Sequence, residues 1–344
     1  MLDKHADIAV VGAGAIGGVT AAALKTAGWN VQLVCKHREI ADLAISAGLS
    51  ITGIKGSRTV RLDAVAGIKD LSGAKDLVLL ATKATDCVAA ATDLLPFLKP
   101  DSVVVSLQNG ICEEDIAAVV GRERVMGCVV GWGASLLGPG RLEITSEGDF
   151  TVGNIDNRPD DNLPFVRDLL ETVVPARISA NIMGELYAKL IINSCINSLG
   201  VIVGVRLGKL LASRKSRRIF IALMREAMAV AAALEIKVEK GGGGKLDYYA
   251  FLEGDGPVKN LKRHLFIRAI GFKYRRIKSS SLQSIERGRQ TEIDYLNGYI
   301  VDRGNEKGVA VPVNTAVVAM VKEIENGGRK MGPENLDDAV FSSV

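Results

Sequence analysis

A chain of 344 residues exceeds what one hydrophobic core usually organises, so two domains are expected. With 48% hydrophobic and 24% charged residues the composition is that of a globular protein, and a net charge of +4 suits anionic ligands while arguing against a nucleic-acid footprint. No uninterrupted apolar run looks long enough to span a bilayer and no signal-peptide core precedes the first strand pattern, which excludes a membrane role. Cys35, Cys87, Cys112, Cys128 and Cys195 are odd in number and lack metal-type spacing, so they read as reduced core thiols of a cytoplasmic protein with no metal.

The chain begins with a short apolar strand, Asp7 to Val11, that runs straight into Gly12-x-Gly14-x-x-Gly17 and then into a helical stretch, Gly18 to Ala27. This is the arrangement a dinucleotide needs: a tight turn at Gly12, close backbone approach at Gly14, close helix packing at Gly17, and a helix N-terminus facing the pyrophosphate. A second strand, Val31 to Cys35, ends in Lys36, His37 and Arg38. An acid about 20 residues on would bind the ribose of NADH. Lys36 and Arg38 instead predict the 2′-phosphate of NADPH, the competing reading being a solvated basic turn. Leu49 to Val65 reads as a hairpin excursion from the sheet around Lys55-Gly56-Ser57. Buried strands over Asp76 to Ala81 and Ser102 to Leu107 are followed by Lys83 and Asn109, at strand ends where a ligand lies in an open parallel sheet. Val125 to Val130 continues the sheet. Leu142 to Thr145 and Phe150 to Gly153 are expected to pair antiparallel after the Gly138-Pro139-Gly140 turn.

From Asn162 the hydrophobic period becomes helical, over Pro164 to Thr172, Gly184 to Val203 and Lys215 to Leu234. The expected domains are therefore 1–175, a Rossmann-type doubly wound α/β sheet, and 176–330, an all-helical domain, with 331–344 a polar tail. Within the second of these helices Lys189, Asn193 and Asn197 recur at spacings of four, on one face of an otherwise apolar cylinder. Either that face is a site, or Lys189 snorkels to water and the asparagines serve helix contacts. Glu239 to Lys245, EKGGGGK, reads as a flexible break, and Lys259 to Lys278 is rich in Lys and Arg, as a solvated helix face or as a cover over an anionic substrate. Thr291 and Asp294 fit a capping box, which leaves Glu292 unexplained except by the helix dipole. Pro312 to Ile324 is the last expected helix.

Taken together, GAGAIG at Gly12 to Gly17, ATKATD with Lys83, SLQNG with Asn109, YAKLIINSCIN with Lys189, SSSLQSIERGRQTEID with Ser280 and Glu292, then LNG and VPVNT, resemble the ketopantoate reductase (2-dehydropantoate 2-reductase) family over nearly the whole chain. The resemblance implies an N-terminal Rossmann domain for NADPH, a helical C-terminal domain, and reduction of 2-dehydropantoate in pantothenate and coenzyme A biosynthesis. It implies catalytic roles for Lys189 as general acid and Glu292, and substrate contacts from Asn109, Asn193, Asn197 and Ser280. It assigns the cofactor to Gly12, Gly14, Ala15, Ile16, Gly17, Lys36, Arg38, Lys83, Asn109 and Glu292. The segment from Glu239 to Lys278 and the stretch GWGASLLGPG depart from better-known members, which leaves the exact 2-oxo acid open.

The implied chemistry delivers hydride to a 2-oxo carbonyl and a proton to the resulting alkoxide. An ordinary lysine pKa of about 10.4 makes a sluggish acid near neutrality, and burial on an apolar face would lower it. His5, His37 and His264 lie where none suits that task. Rival readings are another branched 2-oxo acid, an opine-type condensation with an amine, and an NADPH-binding sensor without catalysis. The partner is then a small-molecule 2-oxo acid, and the apolar helices of the second half permit a homodimer.

Overall fold

The structure is a computed structural model and describes residues 2–342. The chain folds into two compact units, Met1–Leu186 and Tyr187–Val344. The boundary expected near residue 175 thus stands against a division at Leu186, inside a helix.

The first unit opens with β1 (Ile8–Val11), α1 (Ala15–Thr26), β2 (Val31–Val34) and α2 (Arg38–Ser46). It continues through β3 (Leu49–Gly53), β4 (Arg58–Val60), β5 (Asp63–Val65), β6 (Lys75–Leu80), α3 (Cys87–Leu94), β7 (Leu98–Ser106), α4 (Glu113–Val120) and β8 (Val125–Val130). Then come β9 (Gly133–Gly138), β10 (Arg141–Ser146), β11 (Phe150–Asn154), α5 (Leu163–Glu171) and β12 (Ala176–Ile178). Eight strands form one sheet in the order β12-β11-β8-β7-β6-β1-β2-β5, whose six members from β8 to β5 are parallel. Parallel strands are covered on both faces, which is why β1 and β2 are buried at every residue and carry no polar alternation beyond Gln32. The chain leaves β1 toward β2 on one side and returns to β6 on the other. That reversal is the topological switch point at which such sheets bind ligands.

A smaller sheet, β4-β3-β10-β9, holds the expected hairpin, β3 against β4 antiparallel. The expected pairing of Leu142–Thr145 with Phe150–Gly153 does not occur. β10 pairs with β9 across the Gly138-Pro139-Gly140 turn and with β3, whereas β11 crosses to the large sheet and pairs antiparallel with β8, Phe150 opposite Val130. A turn signal alone could not say which of its two neighbours would claim β10.

The second unit is helical among its described residues. It contains most of α6 (Ile182–Val203), α7 (Leu207–Ala212), α8 (Arg214–Ala233), α9 (Tyr248–Leu252), α10 (Pro257–Lys273), α11 (Ser280–Glu286), α12 (Asn297–Lys307) and α13 (Pro312–Glu325). Contrary to the reading of the bare sequence, α6 is long and apolar enough to cross a membrane by composition; 78% of that window is buried inside the protein, as befits a core helix. Gly242, Gly243 and Gly244 have φ of 62°, 69° and 82°, so the glycine run is a left-handed turn closed by Gly241 N–H donating to Leu246 C=O at 2.9 Å. The expected capping box is absent. Thr291 Oγ1 accepts from Ile293 N at 3.2 Å, Asp294 pairs with Lys322, and a 3₁₀ turn, Ile293–Tyr295, precedes α12. Past Gly327 the chain is less loose than a polar tail: Leu336 and Phe341 are buried in short 3₁₀ turns, and its last two residues lie outside the described ones.

Candidate active site

In the first unit the pleat register aligns the ends of four strands. Val11 of β1 stands opposite Val34 of β2 and Leu80 of β6, and Leu80 stands opposite Ser106 of β7. The ladder runs one step further, with Gly12 N–H donating to Val34 C=O at 3.0 Å, Ala81 N–H to Val11 C=O at 2.8 Å and Leu107 N–H to Leu80 C=O at 2.9 Å. The residues that follow each strand, Gly12, Lys36, Lys83 and Asn109, therefore leave the sheet at one edge.

The glycine loop has the shape a dinucleotide requires. Gly12 has φ of 114°, and a β-carbon there would lie 2.7 Å from the Ala81 carbonyl oxygen. A β-carbon on Gly17 would collide with the Gly12 carbonyl, whereas one on Gly14 would meet nothing within 4 Å. So Gly17 lets helix and turn close up, and Gly14 keeps open the space through which backbone approaches a pyrophosphate. Ala15 and Ile16 begin α1, whose first N–H groups point at that space.

Lys36 and Arg38 are exposed just beyond β2, and Lys36 Nζ pairs with Asp86 at 3.3 Å. With side chains 76% and 48% exposed, this pair contributes less than about 1 kcal/mol and holds Lys36 only loosely. Asp86 was not singled out in the sequence; its place three residues after Lys83 in ATKATD was the available signal. Lys83 is exposed at the end of β6 and Asn109 half-buried at the end of β7. Between them Gln108 accepts from Ser106 Oγ at 2.7 Å and donates to Thr82 Oγ1 at 3.2 Å, cross-linking the two strand ends.

In the second unit Lys189, Asn193 and Asn197 share one face of the unbroken α6; the first two are half-buried and Asn197 is 6% exposed. Ser280 lies 83 residues further on, yet its hydroxyl donates to Asn197 Oδ1 at 3.0 Å, and Ser281 N–H donates to the same oxygen at 3.3 Å. Close approach is possible because Gly200 has no β-carbon: one there would lie 2.5 Å from Ser279 Oγ, the hydroxyl that caps α11. With its oxygen taken twice, Asn197 keeps only donors, its two Nδ2 hydrogens, to offer elsewhere. Glu292 is half-buried at the N-cap of the 3₁₀ turn before α12. Of the five residues expected here, contact is seen between Asn197 and Ser280; the part of Ser281 was not foreseen, since a backbone N–H carries no residue signature. His264 is occupied as an acceptor of Arg217 Nε at 3.3 Å. Among the described residues no group of three His, Cys, Asp or Glu could hold a metal ion.

The family model described as ketopantoate reductase PanE/ApbA matches residues 8–157, and that of its C-terminal part matches residues 181–325. The chain belongs to the ketopantoate reductase family. It is 30% identical over 333 residues to the 2-dehydropantoate 2-reductase of Pyrococcus horikoshii, covering 94% of this chain and 99% of that one. Among solved structures it is similar to a PanE/ApbA family ketopantoate reductase from Ralstonia eutropha JMP134, with TM-score 0.79 and 30% identity over 93% of this chain and 99% of that one. It is also similar to a D-mandelate dehydrogenase solved with NADH and anilino(oxo)acetate, with TM-score 0.78 and 26% identity over 94% and 99% of the two chains. Members of this family are oxidoreductases acting on CH–OH groups, so this chain is one too, and a nicotinamide dinucleotide is its class of cofactor.

Proposed function

We propose that this chain reduces a 2-oxo acid with NADPH, and that the acid is 2-dehydropantoate, giving pantoate for pantothenate and coenzyme A biosynthesis. The reduced nicotinamide, when bound, supplies the hydride. Gly12, Gly14, Ala15, Ile16 and Gly17 would hold the pyrophosphate, Lys36 and Arg38 the 2′-phosphate, and Lys83 and Asn109 the nicotinamide half. Lys189 is the residue that would move a proton: its ammonium polarises the carbonyl oxygen and then protonates the alkoxide. Asn193, Asn197 and Ser280 would orient the acid, and Glu292 would take part in binding both ligands. The observation that carries this reading is the fixed polarity of Asn197. Both hydrogen bonds to its oxygen leave donors on the face that also bears Lys189, as a bound carboxylate or carbonyl requires. The cytosol suits the five buried, free cysteines.

A second reading is favoured by the similarity to D-mandelate dehydrogenase: an aromatic 2-oxo acid in place of 2-dehydropantoate. The test is NADPH oxidation followed spectrophotometrically with a panel of 2-oxo acids, with and without amines. The largest kcat/KM is expected for 2-dehydropantoate, and a larger one for a phenyl-substituted acid would transfer the assignment. Lys189→Ala is expected to lower kcat by about a hundredfold or more while NADPH affinity stays near native. Near-normal turnover would remove Lys189 from the chemistry.

A further inference from the structure

The sheet edge that gathers Lys83 and Asn109 also gathers two thiols. Leu80 of β6 stands opposite Ser106 of β7, and the chain runs seven residues from the first to Cys87 and six from the second to Cys112. These near-equal arms end at two helix starts, Cys87 as the first residue of α3 and Cys112 as the N-cap of α4. The two helices lie side by side. Remote in sequence, the side chains meet: the Cys112 thiol donates a hydrogen bond to Cys87 Sγ. Cys112 is also held by its backbone, its N–H donating to Glu113 Oε2 at 3.0 Å and its carbonyl accepting from Ile116 N at 2.9 Å.

The pair is chemically unlike the other buried thiols. Burial pushes the Cys35 thiol up to about 11 and the Cys195 thiol higher still, so neither ionises readily. Cys87 goes the other way. Its hydrogen bond from Cys112 outweighs burial and the carboxylates of Asp115 and Glu113, and holds its pKa below the ordinary thiol value. The N-terminal dipoles of α3 and α4 favour a thiolate as well. A sulfur that ionises easily, beside a second one, has the arrangement of an attacking thiol and its resolving partner. Both are buried, which bars bulky reagents. Lys83 and Thr85 are exposed and the Asp86 side chain is 48% exposed, so Cys87 sits one residue beneath solvent, within reach of a molecule little larger than water.

We propose that Cys87 and Cys112 are a peroxide-responsive dithiol, closing to a disulfide that disables the cofactor edge and reopening on reduction. The Cys87 thiolate attacks one oxygen of hydrogen peroxide and becomes a sulfenic acid; the departing hydroxide, with the proton the thiol gave up, makes one water. The Cys112 sulfur then displaces the sulfenic oxygen as a second water, so two thiols and one peroxide give one disulfide and two waters. A dithiol reductant restores both thiols by exchange. A covalent bond needs the sulfurs closer than a hydrogen bond leaves them, so the starts of α3 and α4 must draw together. They are the far ends of segments 81–86 and 107–110, which Gln108 already ties through Thr82. The effect on turnover rests on the nicotinamide reading above, since a shift of about an ångström is costly where hydride must be delivered.

The test treats the full chain with hydrogen peroxide, blocks remaining thiols after unfolding, and maps the digest by mass spectrometry. One intramolecular link is expected, Cys87 to Cys112, with the loss of two hydrogens, and dithiothreitol should remove it. Links through Cys35, Cys128 or Cys195 in its place, or Cys87 carried to sulfinic acid with no link, would overturn the proposal. Turnover of NADPH with 2-dehydropantoate is expected to fall about tenfold or more on oxidation and to return with dithiothreitol. Cys87→Ala and Cys87→Ser should keep their turnover through the same treatment, two variants guarding against one that fails to fold. A disulfide that forms with turnover unchanged would sink the switch. A reduced chain inert toward every 2-oxo acid would count against the substrate reading instead, and the mapped link would still decide the dithiol.

Discussion

At Lys36 the structure holds a cation beside Asp86 in a pair too exposed to be worth much. A ribose phosphate carries nearly two charges and several acceptors, so it would displace that single carboxylate readily. Replacing Lys36 and Arg38 together by Ala is therefore expected to raise the KM for NADPH by roughly tenfold or more and leave that for NADH nearly unchanged, in steady-state assays. His264 supplies a prediction of another kind. Burial, then the nearby Arg217, Arg214 and Arg218, push its pKa below the ordinary 6.5. The unfolded chain thus binds a proton that the folded one refuses, and stability present above pH 6.5 is lost as pH falls toward the lower folded value. Thermal unfolding should show Tm dropping between pH 7 and 5 more steeply for the wild type than for His264→Gln. At this scale the sequence was partly legible. Spacings of four marked the Lys189 face, but nothing in a string of letters shows that Asn197 spends its oxygen on Ser280 and the Ser281 N–H.

For the elements, periodicity located most strands of the large sheet and the long apolar helices, because burial on both faces or on one stripe writes itself into the order of apolar residues, but it passed over the shorter elements, among them α2, α3, α4, α7, α9, β9 and β12. It also missed choices among partners. Thr291 and Asp294 have the letters of a capping box, yet Thr291 N–H donates to Glu325, and Lys322, in the same helix as Glu325, takes Asp294. The start of α13 is likewise capped from a distance: Glu226 of α8 accepts from Val313 N and Asn314 N at 2.8 Å each and from Asn314 Nδ2 at 2.7 Å. A carboxylate at a helix N-terminus both satisfies orphan donors and meets the dipole. Glu226→Ala should cost about 1–2 kcal/mol, read as a lower urea midpoint with an unchanged m value. Local sequence could not reveal that cap, since 87 residues separate Glu226 from Val313.

For the whole molecule the decisive feature is the shared register at the ends of β1, β2, β6 and β7, which gathers segments remote in sequence along one sheet edge. Bound NADPH is therefore expected to slow amide hydrogen exchange in residues 12–18, 35–38, 81–86 and 107–110 at once. Protection confined to the first of these would contradict a ligand lying across the switch point. The Rossmann topology was legible because the glycine fingerprint and the strand spacing agree; the smaller sheet was not, because β10 and β3 meet only through tertiary structure. One further consequence concerns anyone who wishes to cut, tag or extend this chain. Four glycines in a row invite use as a slack spacer, but Gly242 to Gly244 all wind against the usual hand and so form a mould. Randomised codons there should return glycine, with asparagine as the occasional survivor, and the safer graft lies elsewhere on the surface.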